Sequence, residues 1–158
     1  MPYAAKTKVD VDQTKIEIQK LLVKYGATGF AIAWMDGTES VAFEIAHWRI
    51  RFSFPELTPD DVRKDATGRE RSPAHLVGGT VKSALEQAKR ARWRELLLLI
   101  RAKLVAIENG VTTVEEEFHA HIILPNGQTM HEWATPYLKH AYLEGQMPPM
   151  LPPGGKDR

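Results

Sequence analysis

Residues 28–54 read TGFAIAWMDGTESVAFEIAHWRIRFSF. Phe30, Ile32 and Trp34 alternate with Gly29, Ala31 and Ala33, and Asp36-Gly37 is a turn signal. Val41, Phe43 and Ile45 then alternate with Ala42, Glu44 and Ala46. A tight turn near His47 leads into Trp48, Ile50, Phe52 and Phe54, which alternate with Arg49, Arg51 and Ser53. Alternation of this kind, broken by short turns, predicts a three-stranded antiparallel meander. A period of two puts the large residues of all three strands on one face, which is expected to pack on helices. The other face is alanine-rich on two strands and carries arginine on the third, and Pro55 ends the sheet.

The flanks read as helices. From Val11 to Tyr25, the residues Ile18, Leu21, Leu22 and Tyr25 keep the spacing of one apolar face. The N-cap is expected at Thr14, with Glu17 completing a capping box, or at Asp12, with Val11 and Ile16 as a staple; Gly26 is placed to follow the last turn. Glu56 to His75 is a polar connection, long for a segment without structure of its own, and is expected to be either functional or mobile. Thr80 to Glu108 is the longest helical stretch, closed by Asn109-Gly110, with Leu85, Ala88, Leu96, Leu99, Ile100 and Ile107 on one face. Leu96 to Leu99 also puts leucine on every side of one turn. That turn is expected to be covered by the C-terminal helix, through Trp133, Tyr137, Leu138 and Tyr142, or by a second chain. Thr113 and Glu116 predict a capped helix running toward Leu124, and Thr129 and Glu132 predict another ending near Gly145.

The fold class that follows is α+β: an N-terminal helix, the meander, a long basic helix and two shorter C-terminal helices. Residues 1–146 are expected to form a single domain, followed by a proline-rich tail over 147–158. A chain of 158 residues can support one core without metal or disulfide help. It has no cysteine, which excludes disulfides, thiolate metal sites and cysteine nucleophiles. The N-terminus lacks the apolar stretch of a secretory signal, and the longest apolar run, Leu96 to Ile100, is far too short to span a membrane. A cytoplasmic location is expected.

Net charge is only +1, but the charge is segregated. Lys89, Arg90, Arg92, Arg94, Arg101 and Lys103 crowd one stretch, and Glu115, Glu116 and Glu117 follow. At about 100° per residue, Arg90, Arg94 and Arg101 form one stripe, and Lys82, Lys89, Arg92 and Lys103 another. A stripe of arginines suits the phosphates of a nucleic-acid strand; the bland alternative is a solvated helix face. Trp93 and Trp48 lie beside these cations and are expected to offer a base a stacking surface. Arg49 and Arg51 share one strand face and would continue the helix stripe as a groove wall, or else guard a sheet edge. Arg63, Arg69 and Arg71 lie in the connection and would close over the strand.

Other patterns carry less. His119 and His121 form an H-x-H pair near Glu115 to Glu117 and His131. On the helix expected here they diverge by about 200° and cannot chelate together, so no metal is expected. The three glutamates complement a helix dipole. Phosphate-cradling and nucleophile-elbow motifs are absent, and no cofactor or catalytic residue is assigned. MPPMLPPGG at 147–155 has the composition of a polyproline ligand or a loose strap.

Three blocks carry a resemblance: KYGATGFAIAW at 24–34, RWRELLLLIRAKLVAIENGVTTVEEEF at 92–118, and AHIILPNGQTMHEW at 120–133 with the terminal MPPMLPPG. Together they resemble a group of small uncharacterised bacteriophage and prophage proteins. The resemblance implies a mobile-element setting in a bacterial host and brings no activity with it. At fold level only, the order of helix, meander, basic loop and long basic helix is similar to the core of single-strand annealing proteins. The function expected is that of a non-enzymatic nucleic-acid-binding accessory protein acting on single-stranded DNA in recombination. Its contacts would be Arg49, Arg51, Arg63, Arg69, Arg71, Lys89, Arg90, Arg94 and Arg101, and homo-oligomers are compatible with this reading. The alternative is a small interaction or inhibitor protein that binds a host or phage protein. In that case the tail and exposed apolar residues matter more than the arginines.

Overall fold

The structure, a computed structural model, describes residues 4–147. Its frame is an antiparallel sheet of β1 (Gly29–Met35), β2 (Thr38–Ile45) and β3 (Trp48–Pro55), in that order. Two-residue turns at Asp36-Gly37 and Ala46-His47 join the strands, and all four residues have positive φ. Such turns match the right-handed twist of the strands they connect. Phe30 stands opposite Phe43 and Ile32 opposite Val41, while Val41 faces Phe52 and Phe43 faces Ile50. The large residues therefore share one face, as the alternation requires. Val41, Phe43, Ile45, Ile50 and Phe52 on that face are buried. On the far face Ala31, Ala33 and Ala46 are exposed.

Helix α1 (Val11–Lys24) buries Ile18 and Leu22 against this face. Its N-cap is neither Thr14 nor Asp12 but Asp10, whose carboxylate accepts the Val11 N–H at 2.9 Å. Thr14 lies inside the helix, fully buried, and its hydroxyl donates to the Asp10 carbonyl at 3.1 Å. Beside α1 runs α3 (Val81–Glu108), capped by Thr80. It seats Trp93, Leu97, Ile100 and Leu104 in the core, and Phe118 meets Phe43 and Phe52 edge-on at 5.6 and 6.2 Å.

Of the two covers expected for the leucine turn of α3, the C-terminal helix is not found. Leu96 and Leu97 are buried and Leu98 is half-buried, but Leu99 is 46% exposed and lies off the core. The C-terminal helix α5 (Met130–Glu144) does not lie across it. It packs mainly on the turn at His119–His121, and no residue of α5 is fully buried.

Two further segments correct the sequence reading. The connection from Glu56 to His75 is built rather than structureless. Thr58 and Asp61 form a capping box on the short helix α2 (Pro59–Arg63), which buries Val62. The Asp65 carboxylate then accepts the N–H groups of Thr67 at 2.8 Å and Arg69 at 3.0 Å, closing a loop whose arms meet at Lys64 and Glu70. Helix α4 (Val114–Phe118) has the expected Thr113–Glu116 capping box but stops far short of Leu124. After a 3-10 turn at His119–His121, Ile122 bridges to Ile50, and the Ile123 N–H donates to the Arg49 carbonyl at 2.8 Å. The chain leaves the helix because its backbone groups cover the outer edge of β3. Helix α5 opens on the Thr129–Glu132 capping box and ends at Gly145, in the left-handed conformation, as expected. The proline-rich stretch lies outside the described residues apart from Met147. Among the described residues no helix is long and apolar enough to cross a membrane.

Candidate nucleic-acid interface

The two stripes of α3 have different fates. On the side toward β3 and α4, Lys89, Arg92 and Lys103 are held by their own chain, while Lys82 of the same stripe is exposed. Lys89 meets the Glu56 carboxylate at 3.2 Å. Arg92 donates to the Pro55 carbonyl and lies 5.9 Å from the Phe54 ring centroid. Lys103 meets the Glu117 carboxylate at 3.0 Å and its backbone carbonyl at 2.8 Å. This stripe ties α3 to the end of the sheet and to α4.

On the side toward α1, Arg94 is paired with Glu17 at 2.7 Å. Arg90 donates to the Gln87 side-chain oxygen at 2.8 Å, and the Gln87 amide in turn holds the carbonyls of Ala5 and Thr7. Arg101 opens into a furrow of about 460 Å³ between the two helices. Lys20 and Lys24 of α1 line the same furrow together with Glu17, the partner of Arg94, and Leu21, Tyr25 and Val105 form its apolar part. Among the described residues, Lys20, Lys24 and Arg101 make no ion pair. The Tyr25 hydroxyl donates to Glu108 at 2.8 Å, which holds the phenol above its usual range, and Lys24 lies 5.7 Å from the Tyr25 ring centroid. The sequence reading missed Lys20 and Lys24. Their signal is the four-residue spacing beside Leu21, which sets both on the flank of the buried face of α1.

The sheet arginines are elsewhere. Arg49 and Arg51 alternate with Trp48, Ile50 and Phe52, so they project from the face opposite α1 and α3. The sheet itself separates them from the furrow, and they do not continue the helix stripe. Arg49 is exposed opposite Glu44. Arg51 meets Glu132 of α5 at 3.0 Å, while its Nε is buried without a partner. Arg63 pairs with Asp60 at 3.6 Å within α2, and Arg69 and Arg71 are exposed on the loop that follows. Arg71 and Arg92 also rim an apolar cavity of about 330 Å³ floored by Ala84, Ala88 and Ala91 of α3. The nine arginines and lysines singled out from the sequence thus do not form one surface: Arg90, Arg94 and Arg101 share a side of α3, Arg49 and Arg51 share the opposite face of the sheet, and Arg63, Arg69 and Arg71 lie on α2 and the loop after it.

The aromatic residues do not stack as expected. Trp93 is 1% exposed, edge-on to Phe54 and under Lys15, so no base can reach it. Trp48 is half-exposed, and its indole N–H donates to Glu115 at 2.9 Å, beside α4. Each of the three clustered glutamates has a structural partner: Trp48 for Glu115, the Thr113 backbone for Glu116, and Lys103 for Glu117. The hydrogen bonds hold the carboxyls of Glu115 and Glu116 below the ordinary range. His119 is exposed, while His121 stacks on Phe52 with ring centroids 3.9 Å apart. Among the described residues no three metal-binding side chains converge. Comparison with protein families, with curated proteins and with solved structures finds no match to this chain.

Proposed function

We propose that this chain is a non-enzymatic nucleic-acid-binding protein that holds the phosphate backbone of a single strand along the α1–α3 furrow. The observation that carries the reading is the meeting of Arg101 with Lys20 and Lys24 around one furrow, all three without an acidic partner among the described residues. Unpaired cations on one line release counterions when they meet phosphates, which is the main source of sequence-independent affinity. Arg94 lies two helical turns from Arg101, about 10 Å along the axis, and joins the line only by exchanging Glu17 for a phosphate. A single row of cations between two helices suits one backbone better than a duplex. The setting is that of a phage or prophage protein in a bacterial host, and the activity is annealing or another step of recombination that needs no cofactor. Arg49 and Arg51, on the opposite face of the sheet, are not part of this surface.

The test is a titration of a labelled single-stranded oligonucleotide at two salt concentrations. Changing Lys20, Lys24 and Arg101 together to Ala should weaken binding similarly for all sequences, because phosphate contacts carry no base information. The salt slope should flatten by about 0.7 for each phosphate that is no longer neutralised. Arg49→Ala should leave both unchanged. A wild-type chain that retains no nucleic acid at low ionic strength would end this reading.

One observation favours a second reading, that of a small protein-interaction module. Helix α5 leaves Tyr142 90% and Leu143 83% exposed, in continuity with Leu138 and Met147. Exposed apolar surface of this kind marks interaction sites. Under this reading Tyr142→Ala with Leu143→Ala abolishes capture of a host or phage protein in pull-down, while oligonucleotide binding is absent from the start.

A further inference from the structure

The two edges of the sheet are not alike. The outer edge of β3 is met by Ile122 and Ile123, but no described residue pairs with the outer edge of β1. Because Met35 and Thr38 flank a two-residue turn, Met35, Ala33, Ala31 and Gly29 are the positions that exchange ladder hydrogen bonds with β2. The N–H and C=O groups of Phe30, Ile32 and Trp34 therefore point outward. Nothing in GFAIAWM guards that edge: there is no charge, no proline and no bulge, the usual means of keeping an edge strand single. Helices α1 and α3 stop short of it, and Ile32 is 38%, Trp34 65% and Met35 72% exposed.

We infer that two copies of this chain pair antiparallel through β1, about a two-fold axis at Ile32, to form one continuous six-stranded sheet. The sequence of the strand identifies a second copy as the occupant. Phe30-Ala31-Ile32-Ala33-Trp34 reads large, small, large, small, large from either end. Turned about Ile32, it sets Ile32 against its own copy and Phe30 against Trp34 of the other chain. Ala31 then falls opposite Ala33. The residues that meet in wide, hydrogen-bonding positions are the three whose backbone groups point outward, giving about six new ladder bonds. Aromatic pairs across strands add to sheet stability. The large side chains of both copies fall on the helix-bearing face and extend the core across the junction, as an isologous contact requires. The Trp34 indole is already oriented, its N–H donating to Glu56 at 2.7 Å.

The test is sedimentation of the full chain across a wide concentration range, which should show a monomer–dimer equilibrium. Ile32→Lys sets two like charges opposite each other at the axis and should weaken the dimer by more than about tenfold. Ile32→Glu should do the same, and an equimolar mixture of the two variants should recover a heterodimer. Trp34→Lys, at a still more exposed position, repeats the measurement at a second point of the interface. A wild-type chain that stays monomeric throughout overturns the inference. So does a dimer that tolerates both the Ile32→Lys and Trp34→Lys substitutions, or a Lys/Glu mixture that remains monomeric.

Discussion

Strands β1 and β3 are both edge strands of the same small sheet, yet they are finished in opposite ways. β3 carries Arg49 and Arg51 on its outward-facing side, ends at Pro55, and has its outer edge bonded by the Ile122–Ile123 segment. β1 carries only glycine, alanine and large apolar residues and is bonded on its β2 side alone. An edge closed from within the chain is stable at any concentration. An edge closed by a second copy depends on how much protein is present. The contrast separates the part of the molecule that folding completes from the part that association completes.

The most damaging way to break this contrast is to open the closed edge. Ile122 is 7% exposed and packs in the core cluster that includes Phe118. Ile122→Ala should cost about 2–4 kcal/mol, the range for truncating a buried isoleucine, read as a lowered denaturant midpoint. Ile32→Ala on the open edge should change monomer stability by much less. Equal losses at the two positions would mean that β1 is as deeply buried as β3.

A finer measurement is amide exchange. The Ile123 N–H, bonded to Arg49, should be protected at all protein concentrations. The amides of Phe30, Ile32 and Trp34 should exchange quickly when dilute and gain protection as the concentration rises. Protection that is high and independent of concentration would show that something in the same chain covers β1.

The smallest expected effect is on pH. His121 sits in the segment that closes β3, stacked on Phe52. Burial, aided by the charge of Lys103 and by His131, pushes its imidazole below the ordinary value of 6.5, against an opposing hydrogen bond to the Arg51 backbone. The folded state thus binds this proton less readily than the unfolded chain. The associated stability is complete above the unfolded pKa and is lost as pH falls through it toward the folded value. The change should stay below about 1 kcal/mol, because the ring is only half-buried and solvent screens it. His121→Phe should remove this component from the pH dependence of the melting temperature.

Periodicity was enough to place the meander, α1, α3 and two capping boxes, Thr113–Glu116 and Thr129–Glu132, because each depends on neighbours within one turn or one strand pair. It was not enough to say which cations are free. Lys103 and Arg101 stand on different stripes of the helical wheel, but nothing in the wheel says that one meets Glu117 and the other makes no ion pair among the described residues. That difference is set by α4 and α1, tens of residues away in sequence. The position of Arg49 and Arg51 was legible and was misread: once Ile50 and Phe52 face the helices, the residues between them cannot. Lys20 and Lys24 went unseen because a solvated lysine pair on a helix flank is commonplace until a second helix makes a furrow of it. The end of α4 at Phe118 was also out of reach, since only the unmet backbone of β3 gives the chain a reason to leave the helix there.

The two turns of the sheet bear on how the molecule assembles in time. Asp36-Gly37 takes up positive φ with residues suited to it. Ala46 holds a φ of 49°, a conformation that alanine resists, and no glycine follows it: His47, at 68°, takes the place that Gly37 has in the first turn. The hairpin of β1 and β2 can therefore close early, from its turn outward, within microseconds. The hairpin of β2 and β3 gains little from its turn and must wait for Trp93, Leu97 and Phe118 to arrive from distant parts of the chain. If that order holds, the strand pair that folds first is the one whose outer edge stays bare longest, and a chain in that interval would present β1 to its neighbours before its own core has closed.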